Sequence, residues 1–149
     1  MTSNSVFSNE LIDFNFTAID KKDAIAKLAQ LVVKAGRGSD AAKIAFDVIA
    51  RDEVGTPQVD GVAIPHARTS GVNQSTVAVA RTTDKTIIFD EDEGPAEVLF
   101  MILVPNEAGD EHITILSSLA RRLLDDEFTK ALRTTNDPAE LVGLLESGN

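Results

Sequence analysis

The run Val98-Leu99-Phe100-Met101-Ile102-Leu103-Val104 constrains this chain more than any other stretch. A strand with one face in water alternates apolar and polar residues; this run does not, so both its faces must be covered. It is far too short to cross a bilayer, which takes about 20 residues as a helix. It is therefore read as the central strand of a sheet, and the rest of the chain must supply a layer for each face.

Helical periodicity supplies them. Asp20 stands as an N-cap with Asp23 in the first turn, and Ile25, Leu28, Val32 and Ala35 recur at helical spacing until Gly36. Gly36-Arg37-Gly38 breaks that helix, and Ser39 is placed to cap the next. Ile44, Phe46, Val48 and Ile49 form its apolar face, and it ends between Arg51 and Gly55. Beyond the central strand, Pro105 stops the extended run and a helix starts at Asp110 or Glu111. Its inward positions are Ile113, Leu116, Leu119 or Ala120, and Leu123. Phe128, Ala131 and Leu132 mark another helical piece. Asp137-Pro138 starts a last helix with Leu141, Leu144 and Leu145 inward.

Strand signals fill the middle. Ser75 to Thr82 reads as a packed strand whose Ala78 and Ala80 leave room for a helix above. Thr86 to Phe89 reads as a second short strand, closed by an acidic turn from Asp90 to Gly94-Pro95. In the first 19 residues only Leu11 to Phe16 has strand character, and residues 56–61 read as a loop. Helices before, strands in the middle and helices after imply a layered α/β sandwich, and 149 residues suit one domain spanning 1–149.

Composition removes several classes of function. No cysteine is present, which excludes disulfides, thiolate nucleophiles and the commonest structural zinc sites. The net charge of −10, from 24 acidic and 14 basic residues, repels phosphate backbones and anionic lipid, so neither nucleic acid nor membrane is an expected partner. A basic protein partner would be steered toward such a surface. Met1-Thr2-Ser3-Asn4-Ser5 has neither the basic start nor the apolar stretch of a secretory signal, and the expected location is the cytoplasm.

The remaining chemistry is that of histidine and oxygen. In Asp60-Gly61-Val62-Ala63-Ile64-Pro65-His66-Ala67-Arg68, the proline fixes its own backbone and holds Ile64 extended, so His66 is delivered rigidly at the end of a short strand. The other histidine, His112, falls in the first turn of the helix after the central strand. Sites in open α/β folds gather where strand ends meet helix starts, so the two histidines can share a crevice. Neutral imidazole is a nucleophile near pH 7 and can relay a phosphoryl group through a labile N–P bond. Such a relay needs cations or N–H donors around the transferring oxygens. Arg51, Arg68, His112 and the first amides of the His112 helix are the candidates, and none requires a metal. Each also has a plain structural alternative: Arg51 can offset its helix dipole or pair with Asp47, Arg68 can be a solvated loop cation, and either histidine can be structural.

Gly61-Val62-Ala63-Ile64-Pro65-His66-Ala67 resembles the G-[IV]-A-[IL]-P-H-[AG] signature of the fructose/mannitol (type 2) enzyme IIA domains of the bacterial phosphoenolpyruvate-dependent sugar phosphotransferase system. The resemblance extends to Arg51-Asp52-Glu53 upstream and to Glu111 through Ala120 downstream, covering essentially the whole chain. It implies a cytoplasmic carrier with a mixed sheet between helical layers. This carrier takes a phosphoryl group from phospho-HPr on His66 and passes it to a cysteine of an enzyme IIB domain, itself fused to or associated with a membrane IIC permease. It needs neither ATP nor another cofactor. By the same resemblance His112 and Arg51 orient and stabilise the group in transfer, and the fructose branch is the nearest match. Many members approach the motif through Thr-Gly-Ile-Gly-[Asn/Gly]-Gly, where this chain has Thr56-Pro57-Gln58-Val59-Asp60-Gly61. Asp60 would oppose a phosphoryl group, so its side chain is expected to turn outward or cap an amide, outside the site.

Two other readings stand beside this one. A nitrogen-branch regulatory enzyme IIA would use the same phosphohistidine as a binding switch. A metal hydrolase built on two histidines and carboxylates is disfavoured because no HExxH or similar ligand spacing occurs.

Overall fold

The computed structural model describes residues 6–147, and for residues 111, 112 and 147 the backbone alone. Its centre is β6 (Val98–Val104), buried at every position. Because successive side chains of a strand point to opposite faces, β6 feeds two cores. Leu99, Met101 and Leu103 enter one core together with α1 (Lys21–Lys34) and α2 (Ala41–Asp52). Val98, Phe100 and Ile102 enter the other, formed with α3 (Glu111–Arg122), α4 (Asp126–Thr134) and α5 (Pro138–Ser147). The expected α/β/α sandwich is thus present, with two helices on one face and three on the other.

The sheet is mixed. Antiparallel to β6 runs β5 (Thr76–Arg81), whose other edge pairs parallel with β1 (Ile12–Asp13). On its far side β6 pairs parallel with β3 (Val62–Ala63) and then with β4 (His66–Arg68), while β2 (Gln58–Val59) is antiparallel to β3. Ala78 and Ala80 of β5 face the core of α1 and α2, where their small side chains let a helix lie close. Asp20 caps α1 by accepting from the Asp23 amide at 2.8 Å, as its position before the apolar repeat predicts.

Several expectations are corrected. Asp40, not Ser39, caps α2, accepting from the Lys43 amide at 3.0 Å. Phe46 and Ile113 are 67% and 52% exposed rather than inward, and Ile115 packs in place of Ile113. The stretch 56–61 is not a loop throughout: Gln58 to Ala63 is a hairpin whose turn residues Asp60 and Gly61 have φ of 53° and 82°. Asp-Gly suits such a turn because both residues tolerate left-handed backbone. The strand expected over residues 86–89 does not form. Ile87 is buried, yet the amides of Phe89 and Asp90 donate to the Gln58 side-chain oxygen at 3.1 and 3.2 Å instead of to a strand. In the first 19 residues the extended piece shrinks to β1 behind a 3₁₀ turn, Asn9–Leu11.

The α1–α2 connection is pinned to the loop after β4 by close backbone packing. Gly38 and Val72 bridge, and the Ser39 amide donates to the Gly71 carbonyl at 2.9 Å. A Cβ on Gly71 would lie 2.7 Å from Ile44 Cγ1 and 2.9 Å from the Asp40 carbonyl. Gly71→Ala is therefore expected to cost about 1–3 kcal/mol by overpacking, read as a lowered midpoint in urea.

Candidate functional site

Pairing with β6 fixes where His66 sits. Val62 and Ala63 pair with Val98 and Leu99, and His66, Ala67 and Arg68 continue in the same register with Ile102, Leu103 and Val104. Ile64-Pro65 interrupts the ladder without shifting it, and the Pro65 carbonyl still accepts from the Ile102 amide at 3.0 Å. His66 therefore opens β4 rather than ending a strand, held from both sides in sequence. Alternation along this line sends Ala63 and Ala67 into the α1–α2 core and Val62 and Ile64 into the opposite one, and His66 and Arg68 fall on the side of Ile64.

His66 is 8% exposed, and its Nδ1 lies 2.9 Å from the Ile64 carbonyl oxygen. A carbonyl can only accept, so Nδ1 carries the proton and donates it. In the neutral form of the ring, that tautomer places the basic lone pair on Nε2. The proline that follows Ile64 holds this carbonyl in extended geometry, so the motif that delivers the histidine also selects its tautomer.

His66 lines a cavity of about 360 Å³ together with Ala67, Arg68, Asp47 and Arg51. Asp47 and Arg51 are one turn apart on α2, which packs on β4 through Ala67. The structure thus brings Arg51 to His66 although neither lies near the other in the chain. Arg51 Nη1 donates to the Gly55 carbonyl at 2.9 Å, tightening the end of α2. The pairing with Asp47 allowed by spacing is not made, since Asp47 holds Lys43 at 3.1 Å. Arg51 is anchored at one nitrogen and keeps its charge at the cavity wall. Asp47 had no signal of its own; the i−4 position from Arg51 is what places it there.

The C-terminus of α2 is further tied down by Asp52, a buried carboxylate that sequence patterns did not single out. It binds Lys21 of α1 at 2.7 Å and accepts from the Thr56 hydroxyl at 2.5 Å.

Arg68 does not act as a solvated loop cation. Its Nη1 donates to the carbonyls of Asn106 at 3.3 Å and of Ala108, and its Nη2 to that of Gly109. His112 is the second residue of α3, in the first turn after the β6–α3 loop; its side chain lies outside the described residues. Asp60 does not line the His66 cavity. It belongs to a separate groove of about 450 Å³ with Val62, Ile64, Leu116 and Leu123, and its carbonyl accepts from Arg133. Among the described residues no group of three or more His, Cys, Asp or Glu is placed to hold a metal ion. No helix among them is long and apolar enough to cross a membrane.

Comparison with known proteins gives one family. Residues 5–148 match the family described as phosphoenolpyruvate-dependent sugar phosphotransferase system, EIIA 2. A fructose-specific EIIA component of Haloferax volcanii is 38% identical over 124 residues, covering 83% of this chain and 80% of that protein. The crystal structure of the nitrogen regulatory protein IIA-Ntr from Neisseria meningitidis superposes with a TM-score of 0.84 at 28% identity, over 95% of this chain and 97% of that one. The IIA-mannitol chain of Escherichia coli, solved in complex with phosphorylated enzyme IIB-mannitol, shares the fold with a TM-score of 0.74 at 21% identity, over 96% of this chain and 98% of that one. Against the EIIABC component for 2-O-α-mannosyl-D-glycerate of Escherichia coli, the chain spans only 23% of the relative's length. With its fold, its His66 motif and this match along nearly its whole length, the chain belongs to the type 2 EIIA family of the sugar phosphotransferase system.

Proposed function

We propose that the chain acts as one IIA domain that carries a phosphoryl group on Nε2 of His66, taken from phospho-HPr and handed to a cysteine of an enzyme IIB domain during fructose uptake. The observation that carries this reading is the 2.9 Å contact from Nδ1 to the Ile64 carbonyl. With the proton fixed on Nδ1, the Nε2 lone pair attacks phosphorus as the donor's bond to phosphorus breaks, and no base is needed to unmask the nucleophile. The ring that results keeps its Nδ1–H bond to Ile64, so the carbonyl stabilises the positive character that the ring gains. Onward transfer reverses the step: the N–P bond breaks as sulfur binds phosphorus, and the lone pair returns to Nε2. As a member of this family the domain would work in the cytoplasm, and it needs no cofactor of its own.

Arg51 supplies charge where the transferring oxygens develop it. Arg51→Ala is expected to slow acquisition from phospho-HPr by about 10-fold to 100-fold while the protein stays folded, because its guanidinium reaches the same cavity as His66. Single-turnover labelling at saturating phospho-HPr checks this. A rate equal to the parent's would reduce Arg51 to a helix C-terminal anchor. His112, in the first turn of α3, is assigned the role of assisting the transfer rather than carrying the group.

A second reading has its own support in the likeness to IIA-Ntr. In that reading the same phosphohistidine switches binding to a regulatory target. Both share acquisition on His66, and they part at delivery: rapid transfer to an enzyme IIB cysteine supports transport, and a stable phospho-form that binds a target in place of transfer supports regulation.

A further inference from the structure

The first turn of α3 carries His112, and among the described residues that turn is closed by the amides of Ile113 and Thr114 donating to the Asp110 carbonyl at 3.1 and 3.2 Å, with no buried apolar side chain to anchor it. Its N-cap, Asp110, makes no side-chain capping hydrogen bond, and its φ of −96° and ψ of 24° are not the extended geometry of a capping residue. Ile113 is 52% exposed, and Thr114 is exposed as well. The first fully buried residue of the helix beyond that turn is Leu119. The turn's described bonds thus end at Asp110, so its position is tied to the loop that leads into it.

Among the described residues, Arg68 is the side chain that reaches that loop from outside it. Arg68 spends three of its five N–H donors on the carbonyls of Asn106, Ala108 and Gly109. Arg68 is itself fixed by its strand pairing with Val104, and the next residue, Thr69, donates its amide to the Val104 carbonyl at 2.9 Å. His66 lies two residues back on the same strand and the same side. A chain of rigid connections thus runs from the His66 strand through the Arg68 guanidinium to the loop and on to α3.

We infer that Arg68 is a positioning residue: it latches the β6–α3 loop so that the first turn of α3, and with it His112, is set relative to His66. This rests on the phosphoryl-carrier reading above. Its charge also lines the His66 cavity, so two roles must be separated. Lysine keeps the charge, but its donors radiate from a single nitrogen and cannot span carbonyls spread from residue 106 to residue 109.

The test is a double-mutant cycle on phosphoryl acquisition from phospho-HPr, using Arg68→Ala, Arg68→Lys, His112→Ala and the double variant Arg68→Ala/His112→Ala, each checked for an unchanged cooperative unfolding transition. Arg68→Ala and Arg68→Lys are both expected to slow transfer by about 10-fold to 100-fold at saturating donor, with the half-saturating donor concentration little changed. The double variant should be no slower than His112→Ala alone, since a latch with nothing left to position has no further effect. Full rescue by lysine would show that the charge alone matters and would overturn the inference. Multiplied losses in the double variant would overturn it too, by making Arg68 independent of His112. A His112→Ala protein as fast as the parent would remove the assisting role assigned to His112 and the inference with it. Absence of label on the parent protein would instead sink the carrier reading itself.

Discussion

His66→Ala is expected to lose acquisition of phosphoryl label from phospho-HPr, by more than about 10³-fold, because among the described residues lining the cavity no other nucleophile is placed to take its role. Ala67 is apolar, the carboxylate of Asp47 is held by Lys43, and Arg51 and Arg68 are cations engaged with carbonyls. The substitution should leave the fold intact. His66 sits at the cavity wall, and the bonds of β4 to β6 are made by backbone that alanine keeps. The label on the parent should be acid-labile and base-stable, as an N–P bond is. An alanine variant that gains such a label at the parent's rate would remove His66 from its role and leave Arg51 and Arg68 with nothing to serve.

The largest expected effect on stability is at Phe100. It is fully buried at the midpoint of β6, opposite Val79 of β5, in the core shared with Leu119, Phe128 and Leu132. Phe100→Ala would leave a cavity walled by the backbone of a central strand and by three helices, which cannot collapse without breaking ladder bonds. A loss of about 3–5 kcal/mol is expected, seen as a lower urea midpoint with the slope retained. A loss below about 1 kcal/mol at Phe100 would mean that the sheet and the three helices close over the gap, contrary to the account of β6 as a rigid centre.

What the sequence disclosed, and what it hid, follows from the range of each signal. A seven-residue apolar run and four residues at helical spacing are long patterns fixed by burial, and β6 and α1 match them. Two-residue strands carry no periodicity, so β2 was invisible as a strand and β3 was read only as the short strand before His66, although Asp60-Gly61 is a recognised hairpin turn. Residues 86–89 mislead in the opposite sense: their side chains suit a strand, but their amides are claimed by Gln58, a long-range side-chain bond that no local pattern encodes. Phe46 and Ile113 show that an apolar residue near an amphipathic face need not lie on it. At the site, the rigidity of His66 could be read from Pro65, and its tautomer could not, because that depends on where the Ile64 carbonyl points. Arg51 was among the candidate cations on chemistry, and the resemblance added a role, but its approach to His66 is a product of α2 packing on β4. Arg68 was weighed as a ligand for the transferring oxygens. Its hold on the β6–α3 loop appears only once the strand order is known.

The Nδ1 to Ile64 contact makes the site of phosphorylation the most direct measurement. Protein labelled uniformly with ¹⁵N, phosphorylated by phospho-HPr and observed through long-range ¹H–¹⁵N correlations of the imidazole ring will show which nitrogen bears phosphorus. A single phosphohistidine at His66 is expected, with phosphorus on Nε2 and a proton retained on Nδ1. Phosphorus on Nδ1 of His66, or on His112, would contradict it.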